Sequence, residues 1–339
     1  TKTALAAACA TKGATHATLG NLNNHWGAPL SLARMPQASA FGIFELGMNH
    51  AGEISPLSQL ARPEVAVITA IAAVHLEFFD SIEGIADAKA EIFDGLMPGG
   101  CAVLPSDSPY YDRLAAAAKA QGAARLIGFG AGSGAEARLT ACTPIDGGNH
   151  VQAAILGQRV EFSLLLPGRH NALNAVAALA AAAALGVDVA AAAAGLDGLR
   201  PQKGRGQLLT LRLAGGSFEV IDDSYNASPD SMRAAFAVLA ERKPRGRRLL
   251  ALGDMLELGR DADALHAALA PDIENSGVAQ VFCAGPHMAA LYRALPPAMR
   301  GASAPSAAEL LPMILGAVRP GDCVLVKGSH GSAMAAVVE

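Results

Sequence analysis

Apolar runs of strand length alternate with segments of helical period almost from end to end of this chain, and that alternation constrains its fold more than any other feature. A strand that reads as continuously apolar has both faces buried, which is the situation in a parallel sheet covered by helices. The expected class is therefore α/β, built on mostly parallel sheets. In the first part, strands are expected at residues 40–46, 65–71, 101–105 and 125–129, with helices such as 85–96 between them. Runs at 151–156 and 160–166, joined through Gly157-Gln158, read as a hairpin at the sheet margin. Ala-rich helices follow at 172–185 and 189–196, and the opening residues 1–8 read as a helix entered partway along.

Glycine, proline and charge crowd together in Gly198-Leu199-Arg200-Pro201-Gln202-Lys203-Gly204-Arg205-Gly206, which places a domain boundary, and a plausible hinge, near residue 200. With 339 residues there is room for two domains, expected at 1–199 and 200–339. The second repeats the strand-then-helix order in a Rossmann-like doubly wound pattern. Its strands are expected at 218–222, 248–252, 280–284 and 323–327, and its helices at 231–241, 261–275, 288–295 and 307–318. A hydrophobic fraction of 52% against 17% charged excludes intrinsic disorder. Lys and Arg number 26 against 30 Asp and Glu, so no nucleic-acid partner is expected and any phosphate site must be local. The longest uncharged stretch, 171–187, is too short and too rich in alanine to span a bilayer. Five widely spaced cysteines offer no metal spacing or disulfide framework, which fits a reducing cytoplasm.

Ligands of open α/β sheets gather beyond the carboxyl ends of strands, so polar residues that end apolar runs are the candidates. Glu45 ends one such run beside Gly47, and His75 and Glu77 end the next; Glu45 and His75 are placed to share a divalent cation. Mg²⁺ prefers oxygen, so a histidine ligand needs carboxylates alongside it, and each residue also reads as an ordinary surface or hydrogen-bonded group. Lys89 reads as a solvated helix lysine unless burial lowers its pKa. Gly130-Ala131-Gly132-Ser133-Gly134-Ala135 matches a dinucleotide fingerprint but is rejected, because residues 139–144 look extended where a helix is required. In the second part, Asp222-Asp223-Ser224-Tyr225-Asn226-Ala227-Ser228-Pro229 ends a strand and starts a helix, with Ser228 or Asp230 as the cap. Capping leaves two aspartates, a tyrosine and an asparagine unexplained, a set suited to hydroxyl groups on a ribose or peptide. Arg205 is placed to reach a phosphate, or to stay a solvated linker charge.

Together these segments resemble the Mur ligases. The resemblance rests on Gly20-Asn21-Leu22-Asn23-Asn24, Glu45-Leu46-Gly47-Met48-Asn49-His50, His75-Leu76-Glu77 and Ala88-Lys89-Ala90-Glu91-Ile92-Phe93. It continues through Pro167-Gly168-Arg169-His170-Asn171 with Asn174, Asp222-Asp223-Ser224-Tyr225-Asn226-Ala227, Gly253-Asp254-Met255 and Val326-Lys327-Gly328-Ser329, in family order along the chain. It implies an ATP-dependent ligase of cytoplasmic peptidoglycan precursor synthesis, working through an acyl phosphate. The branch most resembled adds D-alanyl-D-alanine to UDP-N-acetylmuramoyl-tripeptide.

By the same resemblance Glu45 and His75 are ligands of Mg²⁺, and Lys89 is a lysine carbamylated by CO₂, which turns a cation into an oxygen ligand. Asn174, Arg205, Asp223 and Tyr225 surround the nucleotide, with Arg205 countering the γ-phosphate. Asn21, Asn23, Asn24 and Asn49 line the tripeptide side; Asp254, Lys327, Ser329 and His330 lie near the dipeptide. A monomer is expected. The family's phosphate loop and its uridine-nucleotide domain have no counterpart in this sequence, and Thr1-Lys2-Thr3 resembles the helix just after that loop, so weak ATP hydrolysis is expected of the chain alone. Another Mur-type or folylpolyglutamate-type ligase, or a non-catalytic nucleotide-binding module, are the alternatives.

Overall fold

The computed structural model describes every residue except Val74 and His75. The chain divides into two compact units, Thr1–Ala72 with Phe78–Leu199, and Ala73–Glu77 with Arg200–Glu339.

The first unit runs α1 (Lys2–Ala10), β1 (Thr15–Ala17), α2 (Gly27–Ala33), β2 (Phe41–Ile43), α3 (Ile54–Ala61), β3 (Val65–Val67), α4 (Ile82–Ala90), β4 (Cys101–Pro105), α5 (Tyr111–Ala120), β5 (Arg125–Gly130), β6 (Ala137–Ile145), β7 (Gly148–Ile155), β8 (Gln158–Leu164), α6 (Arg169–Ala184) and α7 (Val189–Ala194). Strands β3 to β8 form one sheet in chain order, parallel from β3 through β6 and antiparallel from β6 to β8. β1 and β2 pair in parallel as a separate two-stranded sheet. Side-chain alternation along β4 shows why the strand reads as wholly apolar: Cys101 and Val103 enter one core, Ala102 and Leu104 the other. Helix α6 fills the first of these cores, with Ala175 through Ala182 essentially buried. Alanine is what lets a helix lie that close to a sheet and to two neighbouring helices.

The second unit runs β9 (Gln207–Leu213), β10 (Gly216–Asp223), α8 (Pro229–Glu241), β11 (Arg248–Gly253), α9 (Ala262–Ala267), α10 (Ala270–Asn275), β12 (Gln280–Ala284), α11 (Met288–Ala294), β13 (Arg300–Ala304), α12 (Ala307–Ala317) and β14 (Cys323–Lys327). The sheet order is β13-β12-β11-β14-β10-β9, parallel except for the edge strand β9. The same alternation splits β11, with Leu250 and Leu252 facing α8 to α11 and Leu249 and Ala251 facing α12. β14 lies between β10 and β11, so three strand ends that carry candidate residues stand side by side.

Several expectations need correction. Residues 40–46 and 65–71 hold only the short strands β2 and β3, since their remaining residues leave the ladder as loops. The helix expected at 85–96 starts at Ile82, capped by Ser81, and tightens into a 3₁₀ turn over Glu91–Gly95. The helix expected at 261–275 is two helices: Pro271 lacks the N–H a continuing helix needs and opens α10 instead. The expected hairpin is present as β7 and β8, with the antiparallel β6 extending it to three strands at the margin of the first sheet, and β1, β9 and β13 were not expected. Ser228, not Asp230, caps α8, in a reciprocal box with Ser231.

Candidate active site

In the first unit, Glu45 stands just past the carboxyl end of β2, half-buried. Its Oε1 accepts from Asn23 Nδ2 at 2.9 Å, its Oε2 lies 3.6 Å from Lys2 Nζ, and its backbone N–H donates to Thr18 Oγ1 at 3.3 Å. Asn23 also accepts the Gly47 N–H on its carbonyl, so it clasps the Glu45 turn from both sides. Asn24 acts on the backbone instead, its Oδ1 accepting the N–H groups of Trp26 and Gly27 and so starting α2. Asn21 and Asn49 are exposed, and the Asn49 N–H donates to Glu53 Oε2 at 2.7 Å. That bond, above all, holds the Glu53 carboxyl below its ordinary pKa.

Glu91, not singled out from the sequence, accepts from the N–H groups of Gly52, Ile54 and Ser55 and ties the loop after Asn49 to the start of α3. The motif Ala88-Lys89-Ala90-Glu91 held the only sequence signal for it. Lys89, in the last turn of α4, donates from Nζ to Ala70 O at 2.9 Å, beyond the carboxyl end of β3. Burial lowers its pKa from the usual lysine value.

His75 lies outside the described residues. Among those described, no hydrogen bond or ion pair joins Lys89 to Glu45, and no three carboxylate, imidazole or thiol groups gather closely enough to hold a metal ion. Glu45 fits a hard cation as one oxygen ligand. Lys89 fits as an oxygen ligand only as a carbamate, because its ammonium carries no lone pair and its neutral amine offers nitrogen, which a hard cation disfavours.

The second unit sorts its paired aspartates by the two-residue period of a strand. Asp222 is buried, accepting from Gly204 N–H (2.9 Å) and from the Ser224 N–H and Oγ. Asp223 faces the other way and meets Lys327, its register partner on β14, at 2.7 Å. Lys327 is buried and donates also to Asn226 O. Arg205 lies with its guanidinium 4.1 Å from the centre of the Tyr225 ring, and the His330 ring stands 6.0 Å from that ring on its own account. Asp222 thus shapes the loop that carries Arg205, a role the sequence did not separate from that of Asp223. Asn174 sits half-buried on the second turn of α6, in the first unit.

Beyond β11, the Asp254 carboxylate accepts from Met288 N–H at 2.7 Å and His287 N–H at 3.4 Å. Ser329 ties the neighbouring strand end to the same turn: its N–H donates to Asp254 O, and its Oγ accepts from Leu256 N–H at 2.9 Å. Glycine at 285, with φ +113°, leaves the room that the Asp254 carboxylate occupies. The rejected glycine loop is also accounted for. Asp107 accepts from the N–H groups of Ala131 and Gly132, filling with a carboxylate the place where a phosphate would lie, and the strand β6 follows instead of a helix.

Residues 1–182 match the Mur ligase middle domain, and residues 204–330 match the Mur ligase, glutamate ligase domain. The chain belongs to the Mur ligase family. This Mur ligase is 33% identical over 95% of its length to the UDP-N-acetylmuramoyl-tripeptide--D-alanyl-D-alanine ligase of Rickettsia prowazekii, covering 71% of that protein. It is 36% identical, again over 95% of its length, to the enzyme of the same name from Escherichia coli, covering 69% of it. Its fold superposes on the crystal structure of MurF from Acinetobacter baumannii with a TM-score of 0.89 at 30% identity, over 99% of this chain and 72% of that one. Mur ligases are amide ligases that use ATP and Mg²⁺. No helix among the described residues is long and apolar enough to cross a membrane.

Proposed function

We propose that this Mur ligase joins D-alanyl-D-alanine to UDP-N-acetylmuramoyl-tripeptide at the expense of ATP, in cytoplasmic peptidoglycan precursor synthesis. The observation that carries the reading is the identity of 33% and 36% over 95% of the chain with two ligases of that name. Residues 1–199 serve as the ATP-binding middle domain and 200–339 as the C-terminal domain of a monomer. In the reaction, the terminal carboxylate of the tripeptide takes the γ-phosphoryl group to give an acyl phosphate and ADP. The free amine of D-alanyl-D-alanine then attacks the carbonyl carbon, loses a proton and expels phosphate.

Phosphoryl transfer asks the protein for placement and charge rather than covalent chemistry. Glu45, His75 and a carbamylated Lys89 hold Mg²⁺, which neutralises phosphate charge when bound. A lysine kept below its usual pKa by burial offers the neutral amine that CO₂ requires. Asn174, Arg205, Asp223 and Tyr225 receive the nucleotide; Asn21, Asn23, Asn24 and Asn49 line the tripeptide side. Asp254, Lys327, Ser329 and His330 serve the dipeptide side. The hydrogen bonds of Asn24 and Asp254 to backbone N–H groups support indirect roles for these two, through the turns they shape.

The test is phosphate release from ATP by the protein that carries this chain, with the tripeptide nucleotide and with or without D-alanyl-D-alanine. The reading expects release that needs both substrates and a ligated product of the summed mass less water. Release with a single amino acid or a folate in place of the dipeptide would move the protein to another branch of the family.

A further inference from the structure

Behind the candidate dipeptide side lies a buried imidazole that none of the candidate ligand sets includes. His266, on α9, has no solvent exposure. Its Nδ1 is 2.6 Å from Ala262 O, one turn back in the same helix, and its Nε2 is 2.9 Å from the backbone N of Met255. A carbonyl only accepts and an amide N–H only donates, so the two bonds together fix the neutral ring, with hydrogen on Nδ1 and the lone pair of Nε2 turned to Met255.

Met255 is the middle residue of a turn whose neighbours are tied as well. Asp254 gives its carbonyl to Ser329 N–H and its carboxylate to His287 and Met288, and Leu256 N–H donates to Ser329 Oγ. The His266 lone pair satisfies the one buried donor between them. Without it, Met255 N–H is left buried and unpaired, and the turn must shift to find a partner.

We propose that His266 is a positioning residue for the incoming dipeptide, its Nε2 holding the turn at 254–256 in register with Ser329. The assignment rests on the D-alanyl-D-alanine ligase reading. It also carries a pH dependence. The charged and titratable groups around the ring are Asp254, 4.0 Å from Nε2, and His287, stacked at 5.6 Å between centroids and bonded to Asp263. Burial dominates over both aspartates and sets the His266 pKa below its ordinary value of 6.5. In an unfolded chain the histidine therefore takes up its proton first, and the stability it contributes falls as pH drops below that ordinary value. In the folded protein, protonation at Nε2 sets one N–H against another and releases the turn.

The test compares wild type with His266→Gln, whose carbonyl oxygen can accept the Met255 N–H, and His266→Leu, which cannot accept it. In the protein that carries this chain, His266→Leu is expected to raise KM for D-alanyl-D-alanine roughly tenfold with KM for ATP within about twofold of wild type, and His266→Gln to restore most of the difference. An unchanged dipeptide KM in His266→Leu, or an equal rise in both KM values, overturns the proposal. Amide hydrogen exchange of Met255 in the wild type gives a readout that needs neither variant to fold nor any catalysis. Its protection, corrected for intrinsic exchange, should fall as pH drops below the ordinary histidine value of 6.5, and further than that of the β11 amides; protection that stays constant down to the acid unfolding of the protein, or that falls no further than that of β11, overturns the latch. A wild type that never uses the dipeptide counts against the ligase reading alone, since the exchange measurement stands apart from it.

Discussion

Lys89 shows most directly how one residue's surroundings set its chemistry. Its amine is anchored to Ala70 O and its pKa is lowered by burial, and neither fact can be read from Ala88-Lys89-Ala90 by itself. Lys89→Ala is expected to lower turnover by about 100-fold or more, the scale seen when one electrostatic contributor to a transition state is lost, and short carboxylic acids should restore part of it. Steady-state phosphate release with and without added formate or acetate measures both effects. Glu53 offers a titration test. Its folded pKa lies below the ordinary 4.5, so its contribution to stability is complete above that value and disappears as pH falls through the depressed one. Denaturation of Glu53→Gln should therefore differ from wild type near neutral pH and converge with it in acid. The motif around Glu45 was legible because a carboxylate ending an apolar run beside glycine is a local pattern. Its partners Lys2, Thr18 and Asn23 were not legible as partners, since they reach it from segments more than twenty residues away.

Among the elements, α6 is defined by what its side chains lack. Ala178 and Ala181 are fully buried where the helix meets the sheet and α1, so Ala178→Leu adds volume to a site with no room for it. A loss of about 1–3 kcal/mol is expected, read as a lower urea midpoint with an unchanged slope. Ser228→Ala removes one side of the capping box at the start of α8 and should cost about 1 kcal/mol by the same measurement. Strands buried on both faces, such as Cys101–Pro105, Gln280–Ala284 and Cys323–Lys327, were legible to the residue, because both of their faces had to be apolar. β9 was not. As an edge strand it half-buries only alternate residues, Leu209, Leu211 and Leu213, and leaves Leu208, Thr210 and Arg212 exposed between them. β13 carries the weak apolar signal of Arg300-Gly301-Ala302-Ser303-Ala304 and becomes a strand by pairing with β12.

At the scale of the whole molecule, each unit carries cores on both faces of its own sheet. Residues 200–339 expressed alone are therefore expected to unfold in a single cooperative transition, checked by circular dichroism and calorimetry together. The α/β class, the Mur ligase resemblance and the break near residue 200 came from sequence order alone, because they depend on periods of two and three to four residues and on motifs a few residues long. Tertiary structure alone decided which aspartate of Asp222-Asp223 is buried and which meets Lys327, that Asp254 and His266 brace a turn from inside, and that a loop rich in glycine closes on Asp107. Each of those outcomes depends on a partner distant in sequence that completes a hydrogen bond or withholds water, and no local pattern encodes where such a partner will stand.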